Sequence, residues 1–257
     1  MPSPATTKPL LFTQTLFACA ALGASLTLSA GAAGAAGPAA PPQIAHIANT
    51  AGLSAADLAR LQKGEVVVRL EPVRRGAPRE GVAIGVLDFP PERVFLAVTD
   101  FEHYDEFVPF VASADATPQP DGSVLSFQRL DLPAPMSDRS FRLRARSRVD
   151  GTGAARAWQV AWSYVPGSGD VKDHHGSWRL ARFGPPAANR TLVVCRLFTD
   201  PGGALPAWTM DRATRSSLPW VIEGLRLQVR RHRYSAWATG RLLPEPPPSG
   251  PKPGSDR

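Results

Sequence analysis

The middle of the chain alternates apolar and polar residues from about residue 112 onward, and near its end the repeat lengthens to that of a helix. The alternation, together with runs of β-branched and aromatic residues, is typical of strands. We expect strands at residues 65–70, 81–87, 124–132, 139–149, 156–164, 177–183 and 191–199. Their succession favours an antiparallel sheet.

The predicted strand at 139–149 has two chemically distinct faces. One face carries the residues that we call the Arg comb, namely Arg142, Arg144, Arg146 and Arg148. The other face carries Phe141, Leu143, Ala145 and Val149. Such alternation predicts a half-buried antiparallel strand with a cationic outer face.

The strand at 156–164 and its neighbours are rich in tryptophan. Its alternate positions are Trp158, Val160, Trp162 and Tyr164. Trp178 follows in the next strand, and Trp208 lies at the start of the final helical pattern. These aromatic side chains either line a cavity or fill a core, and Trp158 and Trp162 can also face outward.

The final helical pattern begins near residue 206 and has one buried stripe. Its members recur at steps of three and four: Met210, Thr214, Ser217, Val221, Leu225 and Val229. The stripe is small in its first half and bulkier in its second half. Pro219 lies within it and is expected to bend or break the helix, because proline removes one hydrogen bond.

Shorter helices are predicted on either side of the first two strands. Ser54 and Asp57 form a capping-box pattern at the start of one helix. Pro91 opens a second helix, and a third covers residues 101–107 before Pro109. A sheet of this size with helices outside it is typical of an α+β fold.

The two ends of the chain have different compositions from the middle. Residues 1–36 predict a secretory signal, with Lys8 before an apolar run at 10–28 and small residues after it. We therefore expect export to the periplasm or the outside, with an uncleaved anchor as the alternative. Residues 37–64 are predicted to be a linker and a short capping helix, 65–238 the folded domain, and 239–257 a disordered Pro-rich tail.

The composition of the chain bears on whether it binds nucleic acid, a metal or a cofactor. The chain has 257 residues and a formal charge of +7, from 29 Lys and Arg against 22 Asp and Glu. It has no nucleic-acid motif, so we expect no nucleic-acid partner. Cys19 lies in the predicted signal and Cys195 in a strand, which gives no disulfide or metal spacing. We expect no metal and no cofactor.

Two groups of ionisable residues are candidates for chemistry. His174 and His175 fall in a predicted loop at 166–176, where we expect solvation, with metal binding beside Asp170 or Asp173 as the alternative. His103 lies among acidic residues, and a helix would place Glu102 and Glu106 on one face. Solvation is again the expectation there, and an acid–base pair is the alternative.

The Arg comb has two interpretations. Charged residues normally lie on the solvated face of a sheet. Alternatively, the comb docks on an anionic membrane surface, aided by residues near the end of the final helix. These are Arg226, Arg230, Arg231 and Arg233.

Three stretches resemble the START-like helix-grip (SRPBCC) superfamily, which includes Bet v 1-like proteins, polyketide cyclases and coenzyme Q-binding proteins. They are residues 87–95 with 99–109, residues 166–170 with 176–178, and residues 199–219. The resemblance spans about residues 65–235. It implies a curved antiparallel sheet wrapped around a long C-terminal helix, in an exported bacterial member. It also implies a pocket for a lipid, sterol, quinone or polyketide.

We therefore predict that the protein binds or transports a hydrophobic small molecule without catalysis, as a monomer. The expected ligand-binding residues are Phe127, Phe141, Leu143, Trp158, Trp162, Trp178, Trp208, Met210 and Leu225. The alternative is a polyketide cyclase or aromatase that uses the same pocket. Its candidate acid–base residues are Arg129, Asp131, Tyr164 and His103. A third alternative is a protein-binding module with a filled core and no pocket.

Overall fold

The computed structural model describes residues 52–132, 137–202 and 206–239. The predicted signal at 1–36, the beginning of the predicted linker and all but the first residue of the predicted tail lie outside the described residues. Export, cleavage of the signal and the monomeric state stay predictions. No helix in the described ranges is both long and apolar enough to span a membrane.

Within the described residues, eight strands form one antiparallel sheet, and three α-helices pack against it. The strands are β1 (Val67–Glu71), β2 (Glu80–Leu87), β3 (Val111–Pro118), β4 (Val124–Leu130), β5 (Arg139–Asp150), β6 (Ala157–Tyr164), β7 (Asp173–Arg182) and β8 (Thr191–Asp200). The α-helices are α1 (Ala55–Gln62), α2 (Pro91–Thr99) and α3 (Ala207–Gln228). Short 3₁₀-helices cover Phe101–Glu106, Gly153–Ala155, Pro186–Ala188 and His232–Thr239.

The strand order is β1-β2-β8-β7-β6-β5-β4-β3, and every neighbouring pair is antiparallel. The chain therefore forms a hairpin, crosses through α2, and returns as a meander that ends beside β2. The predicted α+β class, with a curved antiparallel sheet and a C-terminal helix, is confirmed.

The two faces of the sheet bury different clusters. Alternate residues of β2 show this, because Ala83 and Leu87 belong to the large cluster beneath α2 and α3. Val82 and Ile84 point the other way, into a smaller cluster that contains Leu61 of α1. Helix α1 therefore covers the outer face of the sheet.

Close packing of α3 on β2 depends on two glycines. A Cβ atom on Gly81 would lie 2.6 Å from side-chain atoms of Leu218 and Thr214. A Cβ atom on Gly85 would lie 2.5 Å from Ile222 Cγ2. Since real Cβ atoms do not approach so closely, these glycines set how near the helix lies to the sheet.

Three details differ from the sequence-based expectations. Helix α3 is continuous through Pro219, so the expected break was wrong. Buried Leu218 and Ile222 on either side hold this segment to the sheet, and packing outweighs the one missing hydrogen bond. β3 was not predicted as a separate strand. It is an edge strand with a register shift between Val111 and Ser113, so its alternation is weak.

The third difference is the start of β7. This strand begins at Asp173, so His174 and His175 lie in the sheet and not in a solvated loop. His174 is opposite Thr199 and His175 is opposite Phe198 in β8. The long partner strand extends the pairing through a segment whose polar composition suggested a loop.

Candidate ligand cavity

A cavity of about 120 Å³ lies between the inner face of the sheet and the first half of α3. Strands β4 to β8 form its floor, and α3 forms its roof. The 3₁₀-helix Phe101–Glu106 and the segment 108–111 close one side. Most of its lining is apolar.

The floor consists of alternate residues from neighbouring strands. Leu143 in β5, Trp162 in β6 and Trp178 in β7 all line the cavity and are at most 8% exposed. The pairing register puts Trp162 opposite Gly176, and a Cβ atom there would lie 2.5 Å from the indole. Gly176 therefore makes room for the Trp162 ring against the sheet.

The roof is formed by the small residues of the predicted α3 stripe. Ala213, Thr214 and Ser217 line the cavity, with Met210 before them and Val221 after them. Short side chains leave space between helix and sheet, whereas the next turns of α3 fill it with buried Leu218, Ile222 and Leu225. The size change along the stripe thus determines where the cavity lies.

Phe110 marks the rim. Its side chain is 41% exposed although it lines the cavity. Its backbone has φ of 66°, a left-handed conformation that is uncommon for a residue other than glycine. The Asp131 N–H donates to the Phe110 carbonyl over 2.8 Å, which holds this turn in place.

A buried hydrogen-bonded pair forms the inner wall. Trp178 Nε1 donates to the Tyr104 hydroxyl at 3.1 Å, and that hydroxyl donates to the Val98 carbonyl at 2.6 Å. Burial raises the pKa of the Tyr104 hydroxyl above its usual value. Both polar groups are therefore occupied, and Tyr104 stays neutral.

His174 also lines the cavity, which corrects the expectation of a solvated histidine. Its Nδ1 lies 3.0 Å from Thr199 Oγ1, and its ring lies 4.8 Å from the Phe141 ring. Burial lowers the pKa of His174 to about 3, and the nearby His175 also contributes. His174 is therefore a neutral wall residue near pH 7.

Cys195 is buried in β8, as its apolar context predicted, and its side chain borders the cavity. Burial raises the pKa of the Cys195 thiol, and the charge of Glu80 adds to the shift. The thiol is protonated near pH 7 and is a poor nucleophile.

Four of the expected ligand-binding residues border the cavity: Leu143, Trp162, Trp178 and Met210. Phe141, Trp158 and Leu225 are fully buried in the core and do not line it. Trp208 is 67% exposed on the outer side of α3. Phe127 lies beside Arg142 on the outer face of the sheet, with the Arg142 guanidinium 6.0 Å from its ring centre. These five residues therefore do not line the cavity.

Sequence reasoning missed Tyr104, Gln128, Arg139 and His174 as lining residues. The alternation of side chains along β5 could have indicated Arg139, because Arg139 lies on the same face as Leu143. Gln128 pairs with Phe141 and is buried, while its apolar neighbour Phe127 faces outward. The usual assignment of the apolar residue to the inside was wrong at this position.

The candidate acid–base residues lie outside the cavity lining. Arg129 is exposed and pairs with Asp138 at 3.1 Å, and Asp131 is exposed. The Tyr164 hydroxyl donates to the Gly169 carbonyl at 3.2 Å, and His103 Nδ1 lies 2.7 Å from Asp100 Oδ1. None of these groups is placed to act on a molecule inside the cavity.

Glu106 has a structural environment of its own. It accepts hydrogen bonds from Gln228 at 2.9 Å and from Arg233 at 2.8 Å. Burial raises its pKa, but these hydrogen bonds and the nearby charges of Arg231 and Arg233 lower it by more. Glu106 therefore ties the end of α3 to the first 3₁₀-helix. Among the described residues, no group of His, Cys, Asp and Glu has the arrangement of a metal site.

The Arg comb is exposed and largely paired. Arg146 lies 2.5 Å from Asp121, which also lies 3.8 Å from Arg144, and Arg148 lies 2.9 Å from Asp150. Three of the four proposed helpers near the end of α3 are also engaged, since Arg226 pairs with Glu223, and both Arg231 and Arg233 pair with Glu106. Arg230 is exposed. Docking of the comb on an anionic membrane stays a prediction.

The sequence of the chain matches a known protein family. The model of the family described as "Polyketide cyclase / dehydrase and lipid transport" matches residues 87–226, more than half of the chain. The chain belongs to this family. A search of curated protein sequences finds no match.

Several solved structures have a fold similar to that of this family member. A STAR-related lipid transfer protein fragment from Xanthomonas axonopodis is 21% identical, with a TM-score of 0.53, over 65% of this chain and 93% of that one. Human StAR-related lipid transfer protein 5 is 16% identical, with a TM-score of 0.55, over 74% and 97%. Human STARD10 is 13% identical, with a TM-score of 0.53, over 72% and 83%. The predicted START-like helix-grip superfamily is confirmed.

Proposed function

We propose that the protein binds and carries a hydrophobic small molecule in the cavity beneath α3, without catalysing a reaction. The observation that carries this proposal is the cavity lining, in which apolar side chains of the sheet face the small-residue stripe of α3. Burial of the apolar surface of a ligand against such a lining supplies the driving force for binding. The lipid transfer proteins of similar fold are in accord with it.

The chemistry of the lining also favours a carrier over an enzyme. Within the described part of the cavity wall, no Asp or Glu is present. Tyr104 and Cys195 have raised pKa values, and the pKa of His174 is about 3. General acid–base catalysis is most effective with a group that titrates near the working pH, and none of these three does so.

Because the cavity is small, the proposal requires part of its wall to move when a ligand enters. A volume of about 120 Å³ is below the roughly 300–1,000 Å³ of common ligand pockets. A lipid-sized ligand therefore enters only if part of the wall moves. The first half of α3 is the part with the fewest large buried side chains, so we infer that it moves.

A matched pair of α3 variants tests the carrier function. Ser217 lines the cavity and Ser216 is exposed, and both hydroxyls bond back to helix carbonyls. Ser217→Leu fills the cavity, whereas Ser216→Leu adds the same side chain outside it. The full chain and both variants are purified from their own host, and bound molecules are identified by native mass spectrometry and solvent extraction.

We expect a hydrophobic molecule of defined mass on the wild type and on Ser216→Leu, and about tenfold less on Ser217→Leu. The carrier function is contradicted if all three proteins are empty and also take up no lipid, sterol or quinone. Turnover of a linear polyketide thioester into a cyclised product by the wild type would instead establish the cyclase alternative, which the family description includes.

A further inference from the structure

Two long polar side chains of the sheet, Gln128 in β4 and Arg139 in β5, lie in the largely apolar lining. The register pairs Gln128 with Phe141 and Leu130 with Arg139. Gln128 and Arg139 are therefore diagonal neighbours on the inner face of the sheet. Long side chains in this relation can reach the same group.

Gln128 is buried without a polar partner. The residue is 4% exposed, and none of the hydrogen bonds of the described residues involves its side chain. A buried amide normally finds a partner, because leaving it unpaired opposes folding. Its place in the cavity wall indicates that a bound molecule supplies this partner.

Arg139 also has a buried N–H group without a hydrogen-bond acceptor in the described structure. Its Nη1 donates to the Ser137 hydroxyl and to the Ser137 and Asp138 carbonyls, but its Nε is buried without a partner among the described residues. The Asp138 carboxylate lies 3.1 Å from Arg129 instead. No carboxylate in the described chain pairs with Arg139, so its charge is not neutralised from within the fold.

Most of the unpaired polar groups in this wall are N–H donors, namely Arg139 Nε, Trp162 Nε1 and the Gln128 amide nitrogen, and the Gln128 amide oxygen is an acceptor. Trp162 also lines the cavity, and its buried Nε1 has no acceptor in the described structure. Arg139 is the one charged side chain in the described lining, and Asp and Glu are absent from it. An anionic oxygen group beside Arg139 would therefore meet one positive charge and the N–H donors of Arg139 and Gln128, with no opposing carboxylate.

We propose that the ligand is an amphipathic anion, whose carboxylate or phosphate head binds Arg139 and Gln128 while its apolar part fills the rest of the cavity. This inference rests on the proposed function and narrows it to a class of ligand. Charge-assisted hydrogen bonds from the planar guanidinium suit both kinds of head. The neutral His174 and Thr199, which bond to each other, complete the wall without adding charge.

The test uses three single-chain ligands that differ only at the head: decanol, decanoate and decyl phosphate. Each displaces a neutral fluorescent dye, Nile red, from the full chain. The wild type should bind at least one anion about tenfold more tightly than decanol. The tighter of decanoate and decyl phosphate identifies the head that the site prefers.

Variants assign this preference to the two residues. Arg139→Gln should abolish the preference for anions, by weakening the binding of decanoate and decyl phosphate more than that of decanol, whereas Arg139→Lys should retain part of the preference. Arg142→Gln is the matched control, because Arg142 is exposed on the other face of the same strand and should have no effect. Gln128→Leu should weaken anion binding while its melting temperature stays equal or rises, because the variant removes an unpaired buried amide.

The outcomes separate the two proposals. If decanol binds as tightly as both anions, or Arg139→Gln keeps the preference, the anionic head is wrong while the carrier function stands. If Gln128→Leu lowers the melting temperature and leaves anion binding unchanged, Gln128 is structural and its role in the site is wrong. If the dye does not bind and none of the three ligands binds, the carrier function itself is overturned.

Discussion

The two halves of α3 differ in how they contact the sheet: one half lines the cavity, and the other packs in the core. Residues 207–217, the cavity half, present Ala213, Thr214 and Ser217 to an open space. Residues 218–228, the packed half, bury Leu218, Ile222 and Leu225 with at most 1% exposure. The difference shows that side-chain size along one stripe decides whether a sheet and a helix enclose a core or a binding site.

The partner strand β2 contributes to the same difference. Gly85 lies under Ile222 in the packed half, and the missing side chain lets the helix approach closely. Gly81 lies under Leu218 and Thr214, at the boundary between the halves. Beyond this point α3 faces strands whose floor consists of Leu143, Trp162 and Trp178, and the two layers separate.

The largest expected effect comes from truncating one residue in each half. Ile222→Ala should lower the free energy of unfolding by about 3 kcal/mol, because it opens a new void in a closely packed region. Met210→Ala should lower it by only about 1 kcal/mol, because Met210 already borders a cavity and loses fewer contacts. Urea denaturation of both variants measures the difference. Equal losses would show that the cavity half is packed as closely as the packed half.

A smaller effect concerns His174, which lies in the cavity wall. Its folded pKa of about 3 is below the ordinary 6.5, so the unfolded chain binds a proton that the folded protein excludes. This contribution to stability is complete above the unfolded pKa and is lost as pH falls toward the folded pKa. Between pH 7 and pH 5 the loss should be about 2 kcal/mol, from about 1.4 kcal/mol per pKa unit.

His174→Asn should remove that loss, as measured by urea denaturation at both pH values. His175→Asn is the matched control, because His175 is half-buried on the other face and stacks on Phe198. It should keep most of the pH dependence of the wild type, because burial lowers the pKa of His174 more than His175 does. A wild type equally stable at both pH values would contradict the burial of a neutral His174.

Much of the fold could be predicted from local pattern. The α3 stripe and the capping box at Ser54 and Asp57 appear in the structure as expected. The two faces of β5 alternate as expected as far as Ala145, whereas Val149, expected on the buried face, is 43% exposed. Features that depend on distant partners could not be predicted in this way. β7 extends to His174 because β8 is long enough to pair with it, and Pro219 is tolerated because distant residues pack on either side.

The site was less predictable than the fold. Large aromatic residues were expected to line the cavity, yet Trp158 fills the core and Trp208 faces solvent. Gln128 and Arg139 become a pair only through the register of β4 and β5, which the sequence does not specify. The small residues of α3 were the better indicator, because a gap in side-chain volume marks a cavity more directly than an aromatic residue does.

The most direct measurement of the central claim, that the cavity half of α3 moves to admit a ligand, uses two engineered disulfides. A Cβ atom on Gly81 would lie 2.6 Å from Thr214 Cγ2, and one on Gly85 would lie 3.6 Å from Ile222 Cβ. The Gly85–Ile222 separation suits a disulfide, and because Thr214 Cγ2 is one bond from Thr214 Cβ, the Gly81–Thr214 pair is close enough to form one as well. Gly81→Cys with Thr214→Cys fixes the cavity half, and Gly85→Cys with Ile222→Cys fixes the packed half.

Nile red uptake is then compared in the oxidised and reduced forms of both double variants. The account predicts that oxidation slows uptake about tenfold or more in the Gly81–Thr214 variant, that a reductant restores it, and that the Gly85–Ile222 variant is unaffected. Unchanged uptake in both oxidised variants, or equal slowing in both, would contradict it.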